Sequence, residues 1–229
     1  MTQSVARKLL GKVFIQATLR VKTGLHIGSG DVSFKIGGVD NPVVKNPITG
    51  KPYVPGSSIK GKIRSLLEAS KGKEIDEKYK IHVCSGDNPC EICKLFGRPG
   101  EEKHFSSGRL IVRDATLIGP DNVLEEKAEV SINRKSAQAS NLRVTERVAA
   151  GAEFGAEFIL NVFDKEDIKL LKLLKEGMDL LEKDYLGGSG TRGYGQVEFK
   201  DIKYRVEGCN GLNVESEIRN VFGDGISGN

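Results

Sequence analysis

No apolar run in the sequence approaches the roughly 20 residues that a membrane-spanning helix needs, so no membrane partner is expected. The opening residues, MTQSVARKLLGK, lack the apolar core of a signal peptide, and a cytoplasmic protein is expected. Cysteine is scarce. Cys84, Cys90 and Cys93 crowd together while Cys209 stands far away, which excludes an even disulfide framework and suits a reduced, metal-binding use. Acidic residues are nearly missing from the first 65 positions, which carry 11 Lys and Arg against two Asp, a charge of +9 in a chain whose total is +4. The remainder is therefore net acidic. A basic surface so localised favours a polyanion such as nucleic acid.

The 229 residues, 38% of them hydrophobic, suffice for one domain with a sizeable core. Two nucleotide-binding motifs fail on inspection. Gly56, Gly61 and Lys62 have P-loop spacing, but Ile63 stands where a magnesium-binding hydroxyl is needed. Gly188, Gly190 and Gly193 have dinucleotide-fingerprint spacing, but they follow a helical pattern and precede a strand, the reverse of what that motif requires.

The stretch around which the chain is organised is residues 40–68. Pro55 and Gly56 punctuate the approach, Ser57 and Ser58 suit a helix N-cap, and Ile59, Ile63, Leu66 and Leu67 repeat at helical spacing. Lys60 and Arg64 share a second face, Lys62 points elsewhere, and the N–H groups of the first turn favour anions, so a phosphate-gripping helix start is expected.

Residues 13–21 alternate as a half-buried strand with Arg20 outward, a further candidate RNA contact. Residues 24–41 read as a long glycine-rich loop carrying His26. Residues 108–117 read as one strand, residues 121–150 as a polar arm leaving the domain, and residues 153–163 as a strand. Asp164 caps a helix that Gly187 and Gly188 can end, and the last strand runs over residues 196–206. Beyond Cys209 the Gly-rich tail is expected to be partly disordered. The order strand, helix, strand, strand, helix, strand predicts an α+β, ferredoxin-like fold with two long insertions.

His82, Cys84, Cys90 and Cys93, in HVCSGDNPCEIC, place four soft or borderline ligands together, and a closed structural zinc site within an insertion spanning residues 71–107 is expected. His104 and Cys209 stand as alternatives to His82. In residues 187–195 the glycines let backbone N–H groups approach an anion, with Arg192 as charged partner and Tyr185 or Tyr194 available to stack on a base.

With GLHIGSG, VDNPVVKNPITGKPYVPGSSIKGKIRSLLE, GRLIVRDA and the GGSGTRGYG loop in this order, the chain resembles the repeated backbone subunit of the type III-A CRISPR effector, the Csm complex, within the repeat-associated mysterious protein (RAMP) superfamily. That resemblance implies a ferredoxin-like, RNA-recognition-motif-like core as one domain over residues 1–229. It also implies copies stacked along a guide RNA (crRNA), and partners among the other Csm subunits, including the large polymerase/cyclase-like one. It further implies cleavage of bound target RNA with a divalent metal such as Mg2+, the loop aspartate falling on Asp40. Guide contacts are implied for His26, Ser57, Ser58, Lys60, Lys62, Arg64 and the loop residues Gly188, Ser189, Gly190 and Arg192. The arm over residues 121–150 corresponds to the family's thumb; where the family has variants of ENxIDRxT this chain reads VSINRKSA, so only Arg134 transfers. The cysteine insertion is no part of what the resemblance implies. Two other readings are a purely structural RNA-binding filament subunit and a metal-independent guide-processing ribonuclease using His26 as general base, which activity in chelator would favour.

Overall fold

The first strand, β1 (Gly11–Val21), buries Val13, Ile15, Ala17, Leu19 and Val21 and turns the intervening side chains the other way, as strict alternation requires. This computed structural model describes residues 8–29, 41–84, 88–99, 107–223 and 227–228. A short strand, β2 (Tyr53–Val54), leads into helix α1 (Gly56–Ser70), which sinks Ile59, Ile63 and Leu67 into the core. A second helix, α2 (Glu91–Phe96), belongs to the cysteine segment, yet its Ile92, Leu95 and Phe96 join the same core. Strands β3 (Leu110–Val112) and β4 (Ala115–Ile118) follow, then a hairpin of β5 (Leu124–Ile132) and β6 (Ala139–Val148). Strand β7 (Glu153–Val162), helix α3 (Leu170–Lys183), strand β8 (Val197–Gly208), helix α4 (Val214–Phe222) and the short β9 (Ser227–Gly228) complete the described elements.

The main sheet has the order β2-β4-β7-β1-β8-β9, with β3 also pairing β7, and every pairing but β8–β9 is antiparallel. Helices α1 and α3 cover the face that carries Phe154, Phe158 and Leu160. Each such side chain contributes about 1.5–3 kcal/mol by leaving water. The two helices cross at Gly177, where a Cβ would collide with Ile63, so here glycine's cost in a helix interior is offset by close approach. The β5–β6 hairpin forms its own two-stranded sheet and is the polar arm read from the sequence.

Four details depart from the sequence reading. Residues 108–117 form two strands, because Asp114 breaks the run to accept the Gly56 N–H at 2.7 Å. That carboxylate occupies the start of α1, so the helix begins at Gly56 behind Pro55; Ser57 and Ser58 lie in its first turn and do not cap it. Asp164 caps a 3-10 turn, Lys165–Lys169, that runs into α3, and α3 ends at Lys183, short of Gly187. Beyond Cys209 the chain forms α4, whose Val214 and Ile218 are buried; a single helix of nine residues leaves a weak periodic signal among glycines.

Candidate nucleic-acid interface and metal cluster

Three segments distant in sequence meet beside the glycine-rich loop. Gly188 donates its N–H to the His26 carbonyl at 2.9 Å. A Cβ on Gly187, whose φ is +77°, would strike that same carbonyl. Gly190 lies against the Tyr185 ring, with no room for a side chain between them. From α1, Lys62 places Nζ 3.8 Å from the centre of the Tyr185 ring and 2.9 Å from Asp184 Oδ2. An open cleft of about 370 Å³ lies here, lined by Thr23, Tyr185, Gly190, Thr191, Gly193 and Gln196 among others. Ser57 is exposed and Ser58 half-exposed in the first turn of α1, and Ser189 takes the left-handed conformation (φ 60°) at the head of the turn Gly190–Arg192. Arg192 is exposed and Tyr194 is not: the residue is 2% exposed, its ring centre lies 4.4 Å from Lys127 Nζ and 5.0 Å from Arg147 Cζ, and its hydroxyl donates to Glu129. Tyr194 is therefore closed to base stacking, which leaves Tyr185.

The basic residues of α1 do not form one free patch. Lys60 donates to the Leu110 carbonyl at 2.7 Å, and burial, with the Arg64 charge adding to it, lowers its pKa. Arg64 is turned inward: Nε meets Glu68 at 2.6 Å, while its two terminal nitrogens donate to the carbonyls of Gly97 (3.1 Å) and His82 (2.8 Å). Glu68 also accepts the His82 N–H at 3.1 Å. Arg64 thus braces the cysteine segment against α1 and, like Lys60, is committed to partners within the fold. Arg20 lies on the sheet face turned away from the helices, in register with Glu153 and Glu198.

On the arm, Arg134 sits exposed in the hairpin turn, where Asn133 Oδ1 accepts the N–H groups of Lys135 and Ser136. The arm is tied to the loop by Glu129 of β5, which pairs with Arg192 at 3.3 Å. Its pKa is lowered, first by the Lys127 hydrogen bond, against a smaller opposing effect of burial. The expected catalytic residue, Asp40, lies outside the described residues. Its neighbours do not: Asn41, Val43 and Lys45 all contact Glu146 of β6, whose carbonyl is 2.7 Å from His26 Nδ1. Neither Glu146 nor Glu129 carries a sequence signal, since a carboxylate in a charged strand looks solvated until its partners, up to 103 residues away, are known.

The four expected ligands converge. The ligand atoms of His82, Cys84, Cys90 and Cys93 all lie within 4.8 Å of one another. His82 Nδ1 is 2.9 Å from the Glu74 carbonyl, an arrangement that leaves Nε2, 3.3 Å from Cys84 Sγ, as the ring's ligand atom. Burial raises the Cys84 thiol, but hydrogen bonds from Cys90 and Cys93 and the Lys73 charge outweigh it, and the net pKa is lowered. Cys93 is pushed up to about 12, chiefly by burial and further by the neighbouring thiols. Such a cluster of mutually opposed thiols is eased by a cation. His104 lies outside the described residues. Cys209 is excluded as a ligand, for it packs against Gly11 and Leu10 at the end of β1.

Residues 18–198 match the profile of the RAMP superfamily. The CRISPR system Cms endoribonuclease Csm3 of Methanocaldococcus jannaschii is 44% identical over 206 residues, spanning 85% of this chain and 81% of that protein. The enzyme of the same name from Methanothermobacter thermautotrophicus is 43% identical over 216 residues, spanning 83% and 84%. Among solved structures, a chain of the Csm3–Csm4 subcomplex of a type III-A CRISPR-Cas interference complex is similar, with a TM-score of 0.59 and 35% identity over 88% of this chain and 82% of that one.

Proposed function

The chain belongs to the RAMP superfamily and, within it, to the Csm3 endoribonucleases of CRISPR systems, and from this we propose that it is the guide-RNA-binding backbone subunit of a type III-A effector that cuts bound target RNA. Copies of the chain line the crRNA beside the other Csm subunits, in the cytoplasm. The sheet order, with α1 and α3 on one face, supports a ferredoxin-like core, and the domain is single, with the cysteine segment and the arm as insertions. The observation that carries the RNA reading is the meeting of His26 with Gly188 and of Lys62 of α1 with Tyr185, beside an open cleft lined by Tyr185, Gly190 and Thr191. Backbone N–H groups, Ser57, Ser58, Lys62 and Arg192 grip phosphate there without reading bases, so base pairing supplies the sequence specificity. Lys60 and Arg64 support this surface from behind.

Asp40 is the cleaving carboxylate. It would hold a divalent ion such as Mg2+, which when bound stabilises negative charge on the phosphoryl oxygens. His82, Cys84, Cys90 and Cys93 hold zinc; with all four positions filled by protein the site is structural. The test uses the assembled complex. Repeat-derived RNA is expected to copurify, and a guide-matched target to be cut with Mg2+ and spared in chelator. Asp40→Ala is expected to abolish cutting while guide and target binding persist. Wild-type cutting by an assembled Asp40→Ala complex would refute the assignment.

A further inference from the structure

We infer that Glu146 is a positioning residue for target cleavage, latching the segment that leaves the Asp40 loop onto the arm. The inference deepens the reading above and rests on it for the identity of the cleaving carboxylate. Glu146 lies on β6 with its side chain only 12% exposed, against 24% for Glu129 and 40% for Glu125 on the same arm. Its two oxygens have separate tasks: Oε2 accepts the Val43 N–H at 2.9 Å and Oε1 binds Lys45 Nζ at 2.7 Å. Its own N–H donates to the Asn41 carbonyl at 3.1 Å, and Thr145 bridges Asn41 in parallel register.

Positions 41, 43 and 45 are alternate residues of an extended segment, so a single glutamate engages three successive sites along one edge. Through its carbonyl, the same residue holds His26, and His26 in turn holds Gly188 of the loop. Asp40 directly precedes Asn41 in the sequence. The latch therefore ties the segment that follows Asp40 to the same residue that holds His26 and, through it, the loop at Gly188. An arm that folds as an exposed hairpin has no need of a sequestered carboxylate for its own stability; a shielded carboxylate that divides its two oxygens between a backbone N–H and a lysine is a positional device. Displacement of a reacting group by about 1 Å costs on the order of 100-fold in rate, and that is the effect expected of losing the clamp.

The experiment measures single-turnover cleavage by the assembled complex over a range of target concentrations, beside guide and target affinities, for Glu146→Ala, Glu146→Gln, Lys45→Met and Asp40→Asn. Glu146→Ala is expected to lower the saturating rate about 100-fold. The half-saturating target concentration and guide affinity should stay within about twofold of wild type on the same argument. Glu146→Gln keeps an acceptor for Val43 and loses the charge facing Lys45; it is expected to cut clearly more slowly than wild type, though faster than Glu146→Ala, and to match Lys45→Met. A wild-type rate in Glu146→Ala overturns the latch, as does a loss of rate matched by an equal loss of target affinity, the mark of a merely structural residue. Should Glu146→Ala fail to assemble, wild-type rates in both Glu146→Gln and Lys45→Met overturn it. Asp40→Asn cutting at the wild-type rate removes the catalytic assignment on which the latch rests, whatever Glu146→Ala does.

Discussion

Arg64 keeps 11% of its side chain exposed and is engaged by a carboxylate and two carbonyls, whereas Arg192 is 62% exposed and meets one carboxylate at 3.3 Å. Both stand where a sequence reader expects a phosphate contact, one on a helix that carries Lys60 and Lys62 near its start and the other in a glycine-rich loop. The first is committed to the fold and the second is left over for a ligand. Desolvation makes the difference. A guanidinium withdrawn from water must be matched by acceptors on every side, and once matched it has little to offer an RNA; one in water forfeits little by exchanging a weak ion pair for a phosphate.

The contrast can be broken most forcefully at Arg64. Arg64→Ala strands the buried Glu68 carboxylate and frees the backbone around His82, and it is expected to destabilise the protein by about 3–5 kcal/mol. Thermal melting with and without chelator checks this: the variant should melt low in both conditions and should hold zinc more weakly, as a competing chromophoric chelator would report. A variant with unchanged melting and metal affinity would return Arg64 to the list of RNA contacts.

Arg192→Ala sharpens the other side. Its effect on stability should stay within about 1 kcal/mol, the usual worth of an exposed pair. Its effect on guide affinity should be uniform across sequences and should flatten the salt dependence by about one counterion. Affinity measured at several salt concentrations decides this, and an unchanged slope would remove Arg192 from the interface.

The smallest effect concerns the tie between loop and arm. With its pKa lowered in the fold, Glu129 stabilises this contact fully above the ordinary carboxylate pKa and loses that contribution as pH falls through the depressed value. Acidification through that window is therefore expected to loosen Tyr194 and Arg192 from the arm before the core melts, visible as faster amide exchange around residue 194. Uniform protection down to global unfolding would show that Glu129 adds nothing there.

Local patterns carried much of this. Alternation in β1 and β7, helical spacing in α1 and α3, and the polar character of the arm were readable because burial on one face leaves a period in the sequence. The metal cluster was readable because ligand chemistry is rare and its spacing is short. The cap of α1 was not, for Asp114 reaches Gly56 from 58 residues away and takes the place a serine was expected to fill. Helix α4 was hidden among glycines and read as a partly disordered tail, and the early end of α3 was obscured because the glycines after it serve His26 and Tyr185 instead of a helix terminus.

The sequence by itself therefore determined the principal strands and helices of the core, which family the chain resembles and where soft ligands gather, since each of these depends on residues close together in the chain. Only the tertiary structure decided which charges are spent internally. Lys60, Arg64, Glu68 and Glu146 have ordinary sequence surroundings, and what each can do depends on partners brought near by folding and on the water that folding removes.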